Sequence, residues 1–259
     1  MTDVADWWRA TLIDMEPGQT DFPPHPIQDL IRTVTFPQMI WLMLRGKRPS
    51  PPQAALREAA LVAGVDHDPQ PLSSGTARMA VTCGLLLNKA MAAAVKLLGN
   101  VLGSAGEQAV HLFARIRYLN RAGASMDAAI ARGPDQFRAD HRPFIPRFGH
   151  SFHKPVDSCA AALLAQVEQA RIAGIVGGEF ACIAVGADTA QRQAKGKPLP
   201  MNINGATAVI YAELGCVAPL ARGLFCLSMA VGILSHAWEQ MEQGGAQHRP
   251  NATKLPLGL

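Results

Sequence analysis

One segment of the chain gathers several side chains that could carry out chemistry. His150 and His153 follow prolines and a glycine, and Lys154 and Asp157 lie between them and a predicted helix. A loop of this kind exposes imidazoles and backbone N–H groups to a ligand. A metal site made of His150, His153 and Asp157 is one interpretation, although no further cluster of ligand types accompanies it. A surface loop stiffened by proline is the other, and composition alone does not separate the two.

Three other segments carry polar residues that a ligand could reach. His67 stands between two acids just before a predicted helix, Asn204 stands at the predicted start of another, and Arg249 follows a histidine near the C-terminus. Taken singly, these residues are explained equally well as a solvated loop histidine, a helix cap and part of a frayed tail. None of them identifies a function by itself.

The composition indicates what kind of protein must position these residues. The chain has 259 residues, of which 49% are hydrophobic and 17% charged, and this excludes intrinsic disorder. Aromatic residues make up only 6%, which favours helices over a sheet of aromatic and β-branched residues. The net charge of +4 is spread along the chain. It therefore does not indicate nucleic acid, and it suits a small polyanionic ligand.

The cysteines and the apolar runs indicate the compartment. Five cysteines form no CxxC pair, which argues against a disulfide framework or a zinc site and for a reducing environment. The first 18 residues contain acids and no apolar core, so we expect no signal peptide. The uncharged run 223–235 is too short to cross a bilayer and predicts a buried helix. We therefore expect a soluble cytoplasmic protein that binds neither membrane nor nucleic acid.

Helix signals dominate the chain. Ser50 and Gln53 form a capping box at the start of a helix that Gly64 ends. The run 84–98 is apolar nearly all round and predicts a central buried helix. Further helices are predicted over 107–120, 157–175, 205–214 (with Asn204 as the N-cap) and 219–241. The best strand candidate, 180–185, is short. The pattern predicts an all-α protein.

Taken together and in this order, several segments resemble the citrate synthase superfamily. The resemblance rests on FGHSFHKPVD (148–157), MNINGATAVIYAELG (201–215) and ARGLFCLSMAVGILSHAWEQ (221–240). The stretches LIRTVTFPQMIWLMLRGKRPS (30–50) and AALVAGVDHDPQPLSSGTARMAVTCG (59–84) agree with it. It covers nearly the whole chain without large gaps. It is strongest for the short citryl-CoA lyases and for the C-terminal lyase module of ATP-citrate lyase.

This resemblance implies a fold and an assembly. Members are helical proteins of two domains that form intertwined homodimers. The large domain would comprise 1–102 and 214–259, and the small domain 103–213. The site would lie in the cleft between these domains, where closure excludes water from the reacting groups.

The resemblance also implies a chemistry: carbon–carbon bonds are made or broken between an acyl-CoA enolate and a keto acid. A coenzyme A thioester is then the substrate, and no metal or redox cofactor is required. By position, His67 would contact the keto acid and His150 would polarise its carbonyl or hydroxyl group. Arg249 would reach into the partner subunit's site and bind a carboxylate.

Coenzyme A would be held by the loop that contains the two histidines. The resemblance implies that Lys154 binds a phosphate of coenzyme A and that the preceding backbone contacts its adenine end. That backbone consists of Pro146, Arg147, Phe148 and Gly149. Arg147 stands where the family pattern has a glycine.

Four further positions depart from the family pattern. Asn204 stands where the family has the aspartate that removes the α-proton, and an amide cannot accept that proton. Leu102 stands where the family has the histidine that stabilises the enol. Cys159 and Met229 replace two arginines that hold carboxylates. A lost base or oxyanion donor costs on the order of a hundredfold in rate or more, so losing both should nearly abolish ordinary citrate chemistry. Leu102, Met229 and Cys159 also make the pocket less polar, which implies a smaller or less charged ligand than citryl-CoA.

Three functions remain open on these grounds. The first is an acyl-CoA lyase or condensing enzyme with an altered substrate, in which His67 and His150 act. The second is a catalytically silent relative that binds CoA esters. The third is a retro-aldol or hydrolytic reaction of a keto or carboxylic compound without CoA on the same scaffold.

Overall fold

The computed structural model describes residues 11–66, 69–101, 103–141, 157–195 and 201–244. These residues are mostly helical, which confirms the predicted class. The chain divides into two compact units, with the boundary between Glu58 and Ala59. The predicted large domain (1–102 with 214–259) and small domain (103–213) stay a prediction.

The first unit contains a small sheet that the sequence did not predict. Its strands are β1 (Asp14–Glu16), β2 (Gln19–Phe22) and β3 (His25–Pro26), and they pair antiparallel in the order β1-β2-β3. Strands of two to four residues are too short to show the period-two alternation that marks a strand in a sequence. The helices that follow are α1 (Ile27–Thr33) and α2 (Phe36–Arg45).

Helix α3 (Pro51–Ala63) begins in the first unit and ends in the second. The predicted capping box is confirmed at its start. The Gln53 backbone N–H donates to Ser50 Oγ over 3.4 Å, and the Ser50 N–H donates to Gln53 Oε1 over 3.1 Å. Two of the backbone groups that a helix start leaves without partners are satisfied in this way.

The second unit is built from eight further helices within the described ranges. They are α4 (Leu72–Thr82), α5 (Leu87–Val95), α6 (Ala105–Arg121), α7 (Met126–His141), α8 (Ser158–Ile172), α9 (Glu179–Lys195), α10 (Ile203–Glu213) and α11 (Ala218–Gln243). Helix α10 is the central one, because every residue from Asn204 to Ala212 is buried and the helix packs against α6, α8 and α9. Helix α11 packs against α4, α5 and α6.

A carboxylate at each end of α10 joins it to a neighbouring helix. At its C-terminal end, Glu213 accepts hydrogen bonds from the backbone N–H groups of Gly178, Phe180 and Ala181, over 2.9, 2.8 and 3.1 Å. These are the N–H groups that the start of α9 leaves unpaired, and a negative charge is favourable there. At the N-terminal end of α10, the backbone N–H of Ile203 donates to Asp157. The central helix is therefore fixed at both ends.

The apolar run 84–98 differs from the prediction of a central buried helix. Gly84 has a φ of +87°, a left-handed conformation that favours glycine, and α5 begins only at Leu87. Ala90 and Ala94 are buried against α4 and α11, but 67% of the surface of Leu86 is exposed. Apolar composition on every face does not show which face is covered within the same chain.

The strand candidate 180–185 is wrong, since these residues form part of α9. Its β-branched residues suggested a strand, but Glu213 caps the helix start and Ile183 and Ala184 pack into the core. Tertiary packing overrides a weak local preference of this kind.

Helix α11 confirms the prediction of a long helix over 219–241. By length and composition it is the one described helix that could also cross a membrane. Of the 18-residue window that meets this test, 39% is buried. The core helix of a soluble protein gives the same signal, and α11 packs along three other helices.

Candidate functional site

The N-termini of α8 and α10 meet at one carboxylate. Asp157 Oδ1 accepts from the backbone N–H groups of Cys159 and Ala160, over 3.0 and 3.1 Å, and so caps α8. Asp157 Oδ2 accepts from the N–H of Ile203, the first residue of α10, over 3.0 Å. Only 3% of Asp157 is exposed. The carboxylate therefore fixes the first turns of both helices next to each other.

The cap of α10 is Asn202 rather than the predicted Asn204. Asn202 has an extended backbone, and its side-chain oxygen accepts from the N–H groups of Asn204 and Gly205 over 3.1 and 3.2 Å. Asn204 lies one residue inside the helix. Two asparagines spaced by one residue give the same local signal, so the sequence placed the helix start two residues too late.

Asn204 therefore has a side chain that is not used as a cap. Its backbone N–H donates to Asn202, and its carbonyl oxygen accepts from Thr207 Oγ1 over 3.1 Å. Only 9% of the surface of Asn204 is exposed. Within the described ranges, no hydrogen bond is made by its side-chain amide. The amide can donate and accept hydrogen bonds at the first turn of α10, but it cannot take up a proton as a carboxylate does.

Of the predicted site positions, Cys159 and Asn204 lie on helix turns that Asp157 links, and Met229 lies on another helix. Cys159 is exposed in the first turn of α8, and Asp157 links that turn to the one that carries Asn204. Met229 is 2% exposed and lies on α11 in an apolar cluster. The buried members of that cluster are Ala77, Ala90, Ala94, Leu98, Met229, Ile233 and Ala237.

Most of the predicted site lies outside the described residues. This holds for His67, Leu102, His150, Arg249 and the loop residues Pro146, Arg147, Phe148, Gly149 and Lys154. The alternative metal ligand His153 lies outside them too. Their assigned roles stay predictions.

A second polar group of residues lies where α11 faces the end of α3. His236 Nε2 is 3.0 Å from Asp66 Oδ1, a distance at which the ring N–H donates to the carboxylate. Glu239 pairs with Arg78 of α4, with 2.6 Å between Oε2 and Nη1. These residues adjoin a groove of about 420 Å³ lined by Val65, Asp66, Val231, Gly232, Ser235, His236 and Glu239. Asp66 is the residue before the predicted His67.

Sequence reasoning missed the roles of Asp157 and His236. Asp157 was considered as a metal ligand, although an acidic residue directly before a predicted helix is a signal for an N-cap. His236 lies inside an apolar helix, three residues before Glu239. No pattern in the sequence connects it to Asp66, which is 170 positions away.

One carboxyl near the start of α10 has a shifted pKa. Burial raises the pKa of Asp188 above its ordinary value, while Arg192 and the backbone N–H of Met201 oppose that rise. Asp188 and Arg192 pair across one turn of α9, with 2.7 Å between Oδ2 and Nη2. Met201 lies two residues before α10, so this pair borders the junction at Asp157.

The cysteines and the possible metal ligands can be followed within the described part of the chain. All five cysteines lie in it, and none forms a disulfide. No group of three or more His, Cys, Asp or Glu side chains suited to a metal occurs among the described residues.

The arrangement of α8 and α10 favours polar or anionic ligands. Two helix N-termini point their positive ends at the same place, and Asp157 neutralises part of that field. Asn204 then adds an amide that can hydrogen-bond a carbonyl or hydroxyl oxygen. The oxygens of Asp157 accept from three backbone N–H groups, and the amide of Asn204 cannot take up a proton.

Comparisons with known proteins agree with this architecture. The chain is 25% identical over 247 residues to a citrate synthase of Acidithiobacillus ferridurans; the match covers 93% of this chain and 58% of that protein. Among solved structures, the citryl-CoA lyase of Hydrogenobacter thermophilus has a TM-score of 0.82 at 25% identity, covering 97% of this chain and 94% of that one.

A larger enzyme shares the fold as well. The structure of ATP citrate lyase from Methanothrix soehngenii in complex with citrate and coenzyme A has a TM-score of 0.79 at 18% identity, and it covers this whole chain and 44% of that one. The family model for the C-terminal domain of citrate synthase matches residues 43–251. Since that match covers most of the chain and the helical architecture agrees with it, the chain belongs to the citrate synthase family.

Proposed function

We propose that this protein makes or breaks a carbon–carbon bond of an acyl-CoA, as citryl-CoA lyase does, with a substrate that differs from citryl-CoA. The observation that carries the proposal is the likeness to a citryl-CoA lyase over 94% of that enzyme's chain. By contrast, the chain spans 58% of the length of the citrate synthase it matches. The proposed chemistry follows the lyase because its structure matches this chain with a TM-score of 0.82.

The local geometry supports a ligand at the junction of α8 and α10. Asp157 brings together the first turns that carry Cys159 and Asn204, which are two positions that the family uses on its substrate. The related ATP citrate lyase was solved with citrate and coenzyme A bound. We assign the thioester to the loop 146–154 and the keto acid to His67 and His150.

In the proposed cleavage, the substrate hydroxyl loses its proton and its oxygen becomes the carbonyl of the keto acid. The electron pair of the broken carbon–carbon bond passes to the thioester enolate, which takes a proton at carbon. Asn204 can hold an oxygen atom during this step, but the proton must come from another group, because an amide does not supply it. Hydrogen bonds to the enolate oxygen are the largest stabilising effect that such a step requires.

The choice of substrate should depend on a positive charge that the family has and this chain lacks. Cys159 is exposed at the junction and stands in place of an arginine, so a ligand with three carboxylates would leave part of its charge unpaired there. We therefore expect a keto acid product with fewer carboxylates than oxaloacetate.

The test is a turnover screen. The protein is incubated with citryl-CoA and with a panel of acyl-CoA and keto acid pairs, and products are identified by mass spectrometry. We expect products from at least one pair and none from His150→Ala. A screen without any product, alongside measurable binding of coenzyme A, would contradict the proposal and support the silent relative.

A catalytically silent CoA-binding protein is the second candidate. It is favoured by Asn204, whose amide replaces a proton acceptor and is nearly buried. The variant Leu102→His with Asn204→Asp adds the missing groups and tests whether these two positions lie in the site of either candidate. We expect citryl-CoA cleavage to appear or rise at least about tenfold in it. The control Asn88→Asp makes the same change at an exposed position in the first turn of α5 and should have no effect.

We also propose a homodimer in which Arg249 reaches the partner's site. Large exposed apolar side chains on three neighbouring helices support it, because a partner would cover them. They are Met79 on α4, Leu86 before α5, and Trp238 and Met241 on α11. Light scattering should give twice the chain mass, and Leu86→Asp should shift it toward the monomer, unlike Val185→Asp on exposed α9 surface.

The cytoplasm is the compartment that we propose. Five cysteines without a disulfide support it, since thiols persist in a reducing environment. Fractionation of cells that produce the natural protein tests this assignment.

A further inference from the structure

The junction of α8 and α10 contains a side-chain amide with unused hydrogen-bonding capacity. Asn204 is the second residue of α10, and 9% of its surface is exposed. Since the Cα–Cβ bonds of a helix tilt toward its N-terminus, this side chain points back to the end of α10 that Asp157 joins to α8. Asn202 serves as the cap, and among the described residues no hydrogen bond uses the amide of Asn204. A buried polar group normally has a partner, and a ligand oxygen would supply one here.

The carboxylates around this amide are already engaged. The two oxygens of Asp157 accept from three backbone N–H groups in the first turns of α8 and α10, and 3% of the residue is exposed. A proton on Asp157 would weaken the bonds that hold the two helix starts together. Asp188, at the border of the junction, pairs with Arg192 over 2.7 Å. These two carboxylates therefore serve the fold, and neither is set up to receive a proton from a substrate.

The amide is suited to an oxygen atom that gains negative charge during a reaction. The N-termini of α8 and α10 each carry roughly half a positive charge, and Asp157 offsets much of it. The N–H donor that remains for a ligand is that of Asn204. Because this donor is in place before the charge develops, it stabilises an enolate oxygen more than the thioester oxygen from which the enolate forms.

A thioester enolate can form in two ways. In the first, a base removes a proton from the carbon next to the thioester, and an amide cannot act as that base. In the second, a carboxyl group on the same carbon leaves as CO₂, and the electron pair of the broken bond becomes the enolate. The second way needs a donor to the enolate oxygen and no proton acceptor. The junction supplies such a donor.

We propose that the acyl substrate is a malonyl-type thioester, which loses its carboxyl group as CO₂ while the amide of Asn204 donates to the thioester oxygen. The enolate carbon then bonds to the carbonyl carbon of a keto acid, and the alkoxide that results takes a proton from water. Without a keto acid, the enolate carbon takes the proton, and malonyl-CoA becomes acetyl-CoA. This inference rests on the proposed function, which gives the protein an acyl-CoA substrate and carbon–carbon bond chemistry.

The test uses malonyl-CoA and methylmalonyl-CoA that carry ¹³C in the free carboxyl group. Each is incubated in D₂O with and without glyoxylate or pyruvate, and mass spectrometry measures labelled CO₂ and the thioester products. Acetyl-CoA is incubated in parallel, because deuterium in its methyl group reports removal of a proton. The proteins compared are the wild type, Asn204→Ala, Asn204→Asp and Asn88→Ala. Asn88 is the matched control, since it is also the second residue of a helix but is exposed.

We expect the wild type to release labelled CO₂ and to leave the methyl group of acetyl-CoA without deuterium. Asn204→Ala should lower kcat for CO₂ release on the order of a hundredfold, because a donor to the enolate oxygen is lost. Asn204→Asp should also lose CO₂ release, since a carboxylate repels the enolate, but it should introduce deuterium into acetyl-CoA. Asn88→Ala should match the wild type in both assays.

Failure of this proposal can be told apart from failure of the proposed function. A wild type that turns over another acyl-CoA in the turnover screen, but releases no CO₂ from either labelled thioester, overturns the substrate class while the function stands. Deuterium in acetyl-CoA with the wild type overturns it too, because a proton acceptor is then present. CO₂ release that is unchanged in Asn204→Ala overturns the role of the amide. A wild type that turns over no acyl-CoA at all contradicts both proposals.

Discussion

The junction of α8 and α10 and the cluster of α4, α5 and α11 give opposite surroundings to positions at which the resemblance implies a replaced residue. At the junction, Asn204 and Cys159 lie beside backbone N–H groups that the buried carboxylate of Asp157 gathers. In the cluster, Met229 is surrounded by alanines and other apolar side chains. The surroundings of Asn204 and Cys159 are therefore polar, whereas Met229 lies in an apolar core.

This difference indicates how reversible each replacement is. A carboxylate at 204 would enter a place where helix N-termini favour negative charge. An arginine at 229 would need a partner that the apolar cluster does not provide. A carboxylate at position 204 would change the chemistry of the junction with little change in packing. An arginine at position 229 would also change the packing of the cluster.

The largest expected effect is that of Met229→Arg. Burying a charge in the apolar cluster should lower the free energy of unfolding by about 3 kcal/mol or more. Urea denaturation measures it, and Leu227→Arg, at a more exposed position of α11, should cost less than about 1 kcal/mol. If Met229→Arg is as stable as the wild type, the cluster has access to a polar cleft and the contrast disappears.

Next in size is the loss of Asp157. Asp157→Ala removes the acceptor of three backbone N–H groups and should lower the free energy of unfolding by about 1–3 kcal/mol. Asp157→Asn keeps an oxygen that can cap α8, and only the hydrogen bond to Ile203 is given up. Its free energy of unfolding should therefore fall by less than that of Asp157→Ala. If Asp157→Asn is as stable as the wild type in urea denaturation, α10 does not depend on this carboxylate.

A smaller effect concerns Asp188 at the border of the junction. Burial raises the pKa of Asp188 in the folded protein above its ordinary value of 3.8. Its ionised form is therefore less favourable in the folded state. As the pH rises from the ordinary pKa to the raised one, the wild type should lose stability relative to Asp188→Asn, and the difference should then level off.

Thermal unfolding of both proteins between pH 3 and 8 measures this difference. A difference that stays constant with pH would mean that Arg192 and Met201 fully offset the burial of the carboxyl. Lys89→Gln, an exposed change on α5, serves as a control for general pH effects.

The smallest effect compares one thiol from each region. Burial raises the pKa of Cys226, although Arg222 opposes the rise, and this thiol packs against the apolar cluster. Cys159 is exposed at the junction. Since the thiolate is the reactive form, iodoacetamide at pH 8 should label Cys159 faster than Cys226. Peptide mass spectrometry follows both sites in one sample, and equal rates would remove this contrast between the regions.

The helices were largely predictable from the sequence, because their signals are local. The capping box at Ser50 and the apolar pattern of α11 are set by residues a few positions apart. The sheet β1–β3 and the true cap of α10 escaped prediction. Short strands show no period, and two nearby asparagines offer the same cap.

Only a small part of the predicted site lies in the described residues. Asp157 joins the helix turns that carry Cys159 and Asn204, whereas the sequence offers Asp157 only as one ligand of a possible metal site. His67, His150 and Arg249 lie outside the described residues and keep their predicted roles. The pairing of His236 with Asp66 could not be foreseen, since it depends on how α11 crosses the end of α3.

The sequence alone determined the helical class and the family resemblance, because residue types and nearby spacing decide these properties. The tertiary structure alone decided that Asp157 serves two helices, that Met229 lies in a core and that His236 holds Asp66. Each of these depends on contacts between residues far apart in the chain, and such contacts form only when whole helices pack.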